Sequence, residues 1–140
     1  AFFSNESGCV GEPTIFHDLS TPAVEGGSIG KWEWIWGDNT TTIYDLNAIP
    51  PTPPPAQIFH LYADAGSKHV TLQVTNANGC VSTLFGLYVN VIPSPLANFN
   101  YGPTCVDIPI TFYDVSLQNG GSAIVSRIWD FGEGAPSSSP

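Results

Sequence analysis

The sequence predicts an all-β sandwich, and three observations predict it: a turn-rich composition, a period-two apolar alternation and an internal repeat. Of 140 residues, 14 are Gly and 13 are Pro, residues that interrupt helices and supply turns. Hydrophobic residues make up 42%, ample for a core, so a charged fraction of only 11% does not signify disorder. Residues 1–20 align without gaps on residues 97–116, with Ala1/Ala97, Phe3/Phe99, Cys9/Cys105, Val10/Val106, Pro13/Pro109, Phe16/Phe112, Asp18/Asp114 and Ser20/Ser116 identical. After one deletion, Trp34-Ile35-Trp36-Gly37-Asp38 faces Trp129-Asp130-Phe131-Gly132-Glu133. The expected organisation is one complete unit over 1–92, a Pro-Ser-Pro linker at 93–95, and the N-terminal part of a second unit over 96–140.

Element by element, the first strand candidate is 14–19, followed by Trp32, Trp34 and Trp36 alternating with Glu33 and Ile35. Gly37-Asp38-Asn39 then supplies turn chemistry before a strand over 40–44. Ile49-Pro50-Pro51-Thr52-Pro53-Pro54-Pro55 cannot donate to a ladder and favours extended polyproline II. It reads as a stiff loop inserted between strands, with a docking ligand for an aromatic groove as the rival reading. A strand over 57–62 follows. Val70, Leu72 and Val74 alternate with Thr71, Gln73 and Thr75, and Leu87, Val89 and Val91 form the last apolar stripe. About seven short strands and no convincing helix make a sandwich.

Lys and Arg together number 3 against 12 Asp and Glu, a formal net charge of −9. Lys31, Lys68 and Arg127 cannot build the positive patch that nucleic acid or an anionic membrane requires. No apolar run approaches the ~20 residues of a membrane span. Met is absent, initiator included, so the chain is expected to be a segment of a longer one. Catalytic signatures are lacking: there is no nucleophile elbow, no zinc-binding helix and no phosphate-cradling glycine loop. His17 and Asp18 are sequence neighbours on a strand and point to opposite faces. A catalytic role is therefore not expected, and no cofactor is called for beyond a calcium option described below.

These motifs resemble the PKD (polycystic kidney disease) domain, an immunoglobulin-like β-sandwich of bacterial surface proteins. Its Trp-Asp-Phe-Gly-Asp-Gly hallmark is matched by Trp129-Asp130-Phe131-Gly132-Glu133-Gly134 and, more loosely, by Trp34-Ile35-Trp36-Gly37-Asp38-Asn39. A second hallmark is matched by His60-Leu61-Tyr62, then Gly66, then the strand over 70–75. Ile35 replaces the usual acidic residue, and Lys68 stands where an aromatic is common. Asn78-Gly79-Cys80 with an earlier Cys9 resembles the variant of long secreted proteins in Bacteroidetes-type bacteria. The resemblance and the repeat together imply a Cys9–Cys80 disulfide and an oxidising compartment. Cys105, the copy of Cys9, is then left odd because its partner would lie beyond Pro140.

Trp34, Trp36, Trp129 and Phe131 read as core, with a sugar-stacking platform as the alternative. Trp32, whose copy is Arg127, is the aromatic expected near a strand's end with a possible surface binding role. Tyr62 and Gly66 fit a tyrosine-corner role, and His60 is expected to hydrogen-bond or pack on the same loop. Asp18 and Asp114 are expected to hold loops through backbone N–H groups. Asp18, Asp38, Asn39 and Asp64 are the weak calcium candidates.

The resemblance implies a non-catalytic module serving as spacer, stalk or adhesion element of a long protein on the bacterial cell surface, exported by the type IX system. Neighbouring domains of the same chain and a protein or glycan on another cell surface are the implied partners. Two alternatives stand beside it: an accessory carbohydrate- or protein-binding domain of a secreted hydrolase, and a subunit-contact module of a homo-oligomeric extracellular assembly.

Overall fold

In the computed structural model, which describes residues 1–6, 8–22, 27–132 and 137–139, the apolar alternation resolves into strands. In chain order these are β1 (Phe3–Asn5), β2 (Gly8–Cys9), β3 (Pro13–Asp18), β4 (Ile29–Ile35), β5 (Thr41–Asp45), β6 (Ile58–Leu61), β7 (Gly66–Asn76) and β8 (Phe85–Ile92). Then come β9 (Phe99–Tyr101), β10 (Phe112–Asp114), β11 (Arg127–Trp129) and β12 (Ser137–Ser139). The chain divides into two compact units, Ala1–Ile92 and Pro93–Pro140.

The first unit is an immunoglobulin-like sandwich. A three-stranded sheet, β1-β3-β6, faces a five-stranded sheet, β2-β8-β7-β4-β5. The chain crosses from one sheet to the other between β1 and β2, so the N-terminal segment edges both layers, and β2 runs parallel to β8. All other pairings in this unit are antiparallel. Period-two alternation buries Trp32 and Trp34 on β4, and Val70, Leu72 and Val74 on β7. Trp36, just past the end of β4, Val89 and Val91 on β8, and Phe3, Phe16, Ile58 and Tyr62 from the facing sheet complete the core. Phe3 sits 5.0 Å from Trp34, Phe16 sits 5.0 Å from Trp36, and the two indoles stack at 5.1 Å. The proline-rich segment is a loop between β5 and β6, pinned by mutual backbone hydrogen bonds of Asp45 and Thr52.

The second unit repeats these pairings at the offset of the sequence repeat. Phe99 pairs with Asp114 and Tyr101 with Phe112, as Phe3 pairs with Asp18 and Asn5 with Phe16. Ser116 N–H donates to Asp114 Oδ1 at 2.9 Å, and Ser20 N–H donates to Asp18 Oδ1 at the same distance. Phe112 lies 4.9 Å from Phe131, matching Phe16 and Trp36, and Trp129 stacks on Phe131 at 6.0 Å. The Glu133-Gly134 end of the second motif lies outside the described residues.

The expected Cys9–Cys80 disulfide is not formed: Cys9, Cys80 and Cys105 are all free thiols. The sheet gives the reason. Cys9 pairs with Ile92, beside the Gly66 end of β7, because Gly66 pairs with Val91. Cys80 belongs to the turn beyond Asn76, at the opposite end of β7, where its carbonyl accepts from Asn76 N–H. Ten residues of strand separate those ends, roughly 30 Å at the rise of a β-strand. A disulfide needs Cα atoms within ~7 Å.

Candidate functional site

At one pole, the residues of the first motif interlock. Gly37 turns the chain after β4 with φ of 78°, and a Cβ there would stand 2.7 Å from the His69 backbone nitrogen. The turn delivers Asp38, whose Oδ1 accepts from Thr40 N–H at 3.0 Å and Thr40 Oγ1–H at 2.5 Å. Asp38 Oδ2 accepts from His60 Nε2 at 2.7 Å. The imidazole lies flat on Trp36, centroids 4.5 Å apart and planes 7° apart, and meets the Tyr62 ring at 4.7 Å with 76° between planes. Tyr62 is buried and donates its hydroxyl to the Trp36 carbonyl at 3.1 Å. Burial acts to raise the Asp38 pKa, but the hydrogen bonds from His60 and Thr40 outweigh it, so the carboxyl ends below its ordinary value. Burial and then the Asp38 charge push the Tyr62 hydroxyl well above its ordinary range. His60 thus packs against Tyr62 on its own loop and hydrogen-bonds across to the β4–β5 turn. Lys68 lies over the Tyr62 ring at 5.8 Å, giving a cation–π contact where an aromatic is common. This cluster fastens one turn to the facing sheet.

Trp32 is not the surface aromatic the sequence suggested. Its side chain is buried, 8% exposed, and its Nε1–H donates to Asp18 Oδ2 at 2.7 Å. The repeat explains the exchange, because Arg127 donates from Nε to Asp114 Oδ2 in the second unit. Either residue supplies a donor to the same carboxylate. The hydrogen bonds of Ser116 and then the Arg127 guanidinium hold Asp114 at about 2. The oxygen donors considered for calcium are dispersed. Asp18 is bound to Trp32 and Ser20, while Asp38 is bound to Thr40 and His60 beyond the other end of β4. Asn39 occupies the turn with φ of 68°, and Asp64 lies exposed before β7. Among the described residues, no group of three His, Cys, Asp or Glu is placed to hold a metal.

A different surface carries accessible aromatic chemistry. The phase that buries Val89 and Val91 and half-buries Leu87 turns Tyr88 outward, leaving it 75% exposed. Tyr88 pairs across the ladder with His69, and the rings stack at 4.7 Å with 26° between planes. Gly86 makes room for this pair: a Cβ there would stand 2.8 Å from His69 Nε2 and 3.0 Å from Thr71 Cγ2. On the same outer face, Ser67 pairs with Asn90, Thr71 faces Gly86 and Ile35, and Gln73 pairs with Glu33. The result is a strip with paired rings at its centre, Ser67 and Asn90 on one side, and Thr71, Ile35, Gln73 and Glu33 on the other. Sequence reading missed Tyr88 and His69. The available signal was an aromatic standing out of phase with the apolar stripe of β8.

No family model and no curated protein matches the chain. Among solved structures it resembles one described as "Structural basis for the promiscuous specificity of the carbohydrate-binding modules from the beta-sandwich super family", with TM-score 0.54 and 22% identity. The match covers 71% of this chain and 36% of that one, so the chain spans about a third of the length of the protein it resembles. At that identity the likeness establishes the fold, a β-sandwich.

Proposed function

We propose that this chain is a non-catalytic glycan-binding module, working outside the cell as an accessory domain, and that sugar binds the outer face of the five-stranded sheet. The exposed Tyr88–His69 pair carries the reading. A pyranose presents an apolar C–H face that stacks on such rings, while its hydroxyls meet polar groups of the kind Thr71, Gln73 and Asn90 supply. The likeness to carbohydrate-binding sandwiches supports it. With a net charge of −9, the ligand class is neutral polysaccharide, since anionic glycans would be repelled. The test is affinity electrophoresis through gels containing soluble xyloglucan, mixed-linkage β-glucan or mannan. At least one gel should retard the chain, Tyr88→Ala should abolish retardation, and its melting temperature should stay unchanged. Equal retardation of the variant, or none in any gel, would refute the reading.

A second reading, a PKD-like spacer unit of a long surface protein, is favoured by the recurrence of strand registers at one offset. It is also favoured by the parallel β2–β8 pairing, extended by Val10 N–H donating to the Ile92 carbonyl at 3.0 Å. Tension between the ends of the first unit loads these hydrogen bonds in shear. In single-molecule pulling, Val10→Pro, which deletes that donor, should lower the unfolding force; an unchanged force would count against a role in bearing tension.

A further inference from the structure

On the outer face of the five-stranded sheet, Glu33 of β4 and Gln73 of β7 stand directly opposite one another, and each is braced by a neighbour. Gln73 Nε2 donates to the Ser82 carbonyl at 3.1 Å, which fixes the amide and leaves Oε1 as an acceptor. Lys31 Nζ donates to Glu33 Oε2 at 3.1 Å, so that ion pair is neutral and the second carboxylate oxygen remains an acceptor. Neither Oε1 accepts a hydrogen bond among the described residues. Ser67 and Asn90, on the other side of the Tyr88–His69 rings, are exposed and have no such brace among the described residues. Gln73 lies four residues along β7 from His69, roughly 13 Å at the rise of a β-strand, farther than one pyranose ring reaches. Between them Thr71 faces Ile35, which is 39% exposed.

We propose that Glu33 and Gln73 form a second sugar subsite, which takes the 2-OH and 3-OH of one unit of a linear chain while another unit stacks on Tyr88 and His69. The proposal rests on the glycan reading above and narrows its ligand. Two acceptors fixed side by side match two adjacent hydroxyls, each an O–H donor. The carboxylate makes the stronger of the two bonds, and bracing both groups beforehand lowers the ordering cost of binding. Ile35 floors the middle of the strip, where the acidic residue of the resembling motif would set a charge against the apolar face of the intervening sugar. A separation of ~13 Å along the strand places about three sugar units on the strip. The ligand class is therefore a linear backbone whose internal units keep both hydroxyls free, as 1,4-linked glucans, xylans and mannans do. Internal units of a 1,3-linked glucan do not, because the linkage consumes O3.

The test is titration calorimetry with cello-, xylo- and manno-oligosaccharides of two to six units, joined by affinity gels. In any series that binds, the tetraose should bind at least tenfold more tightly than the disaccharide, with no further gain at six units. The double substitution Glu33→Met with Gln73→Met should bring those two affinities within about twofold of each other, and Tyr88→Ala should remove binding at every length. In gels, laminarin, a 1,3-linked glucan, should bind at least tenfold more weakly than a 1,4-linked polysaccharide that retards the chain. The length series and the laminarin gel read the parent chain alone, so they decide the matter even if the double variant does not fold. The subsite is overturned, with the ring platform standing, if Tyr88→Ala removes binding but affinity is already maximal at the disaccharide. It is overturned equally if the folded double variant keeps the parent's length dependence, or if laminarin binds as tightly. Should no series bind, or should Tyr88→Ala bind as the parent does, the glycan reading itself fails and the subsite falls with it.

Discussion

The three tryptophans around β4 differ in what their indole nitrogens do, and that difference is testable residue by residue. Trp32 donates to Asp18 and Trp36 donates to Thr42 at 2.9 Å, while Trp34 Nε1 is buried with no hydrogen-bond partner. Trp34→Phe therefore removes volume but no hydrogen bond, whereas Trp32→Phe strips a donor from Asp18 as well. Losing that donor costs a further ~1–3 kcal/mol, so chemical denaturation should rank Trp32→Phe as the less stable variant. Asp38 gives a pH signature. Its folded pKa lies below the ordinary 3.8, so its contribution is present above that value and lost as pH falls through the folded value. Melting temperature should fall below about pH 4 in the parent and fall less steeply in Asp38→Asn. Asp114, held at about 2 by Ser116 and then Arg127, should move back toward 3.8 in Arg127→Met, read by carbon-13 titration of its carboxyl. The sequence showed that Asp18 and Asp114 recur and raised the expectation that they bind loop N–H groups, which Ser20 and Ser116 supply. It could not show that an indole and a guanidinium serve the same carboxylate, because that equivalence rests on placement, not on side-chain type.

Among elements, alternation placed β4, β7 and β8 and their buried faces, since a strand with one buried side has only one workable phase. The same rule decides the candidate site. Gly86 lies beside a flexible ring, whereas Gly37 lies against the His69 backbone. Gly86→Ala should thus displace His69 and weaken glycan retardation with little change in melting temperature. Gly37→Ala must adopt a φ of 78° and press on backbone 2.7 Å away, so it should destabilise the first unit by ~2 kcal/mol or more, measured by urea unfolding. Strand boundaries moved by a few residues from the sequence reading, most at β7, which begins at Gly66 because its ladder with β8 continues to Val91.

At the scale of the molecule, two units of matching register differ in closure, and stability should follow closure. Amides of β4, β7 and β8 should show slow hydrogen exchange, while β9 to β12 exchange orders of magnitude faster, because their aromatics leave apolar surface in water. Alkylation of the native, unreduced chain followed by mass measurement should count three thiols, with Cys80 and Cys105, both exposed, reacting ahead of half-buried Cys9. A count of one would restore the disulfide. The sequence by itself determined the all-β class, the recurring motif, the acidic balance and the Trp34 and Trp36 core of the first unit, because periodicity and composition act locally along the chain. They do not say what covers a face: Trp129 and Phe131, also expected in the core, are half-buried and exposed, respectively. Tertiary structure alone decided that Cys9 and Cys80 lie at opposite ends of β7, that Trp32 is covered with its indole on Asp18, and that Tyr88 and His69 share an open face. Each of those depends on which strand lies beside which, and pairing between distant segments is invisible to local pattern.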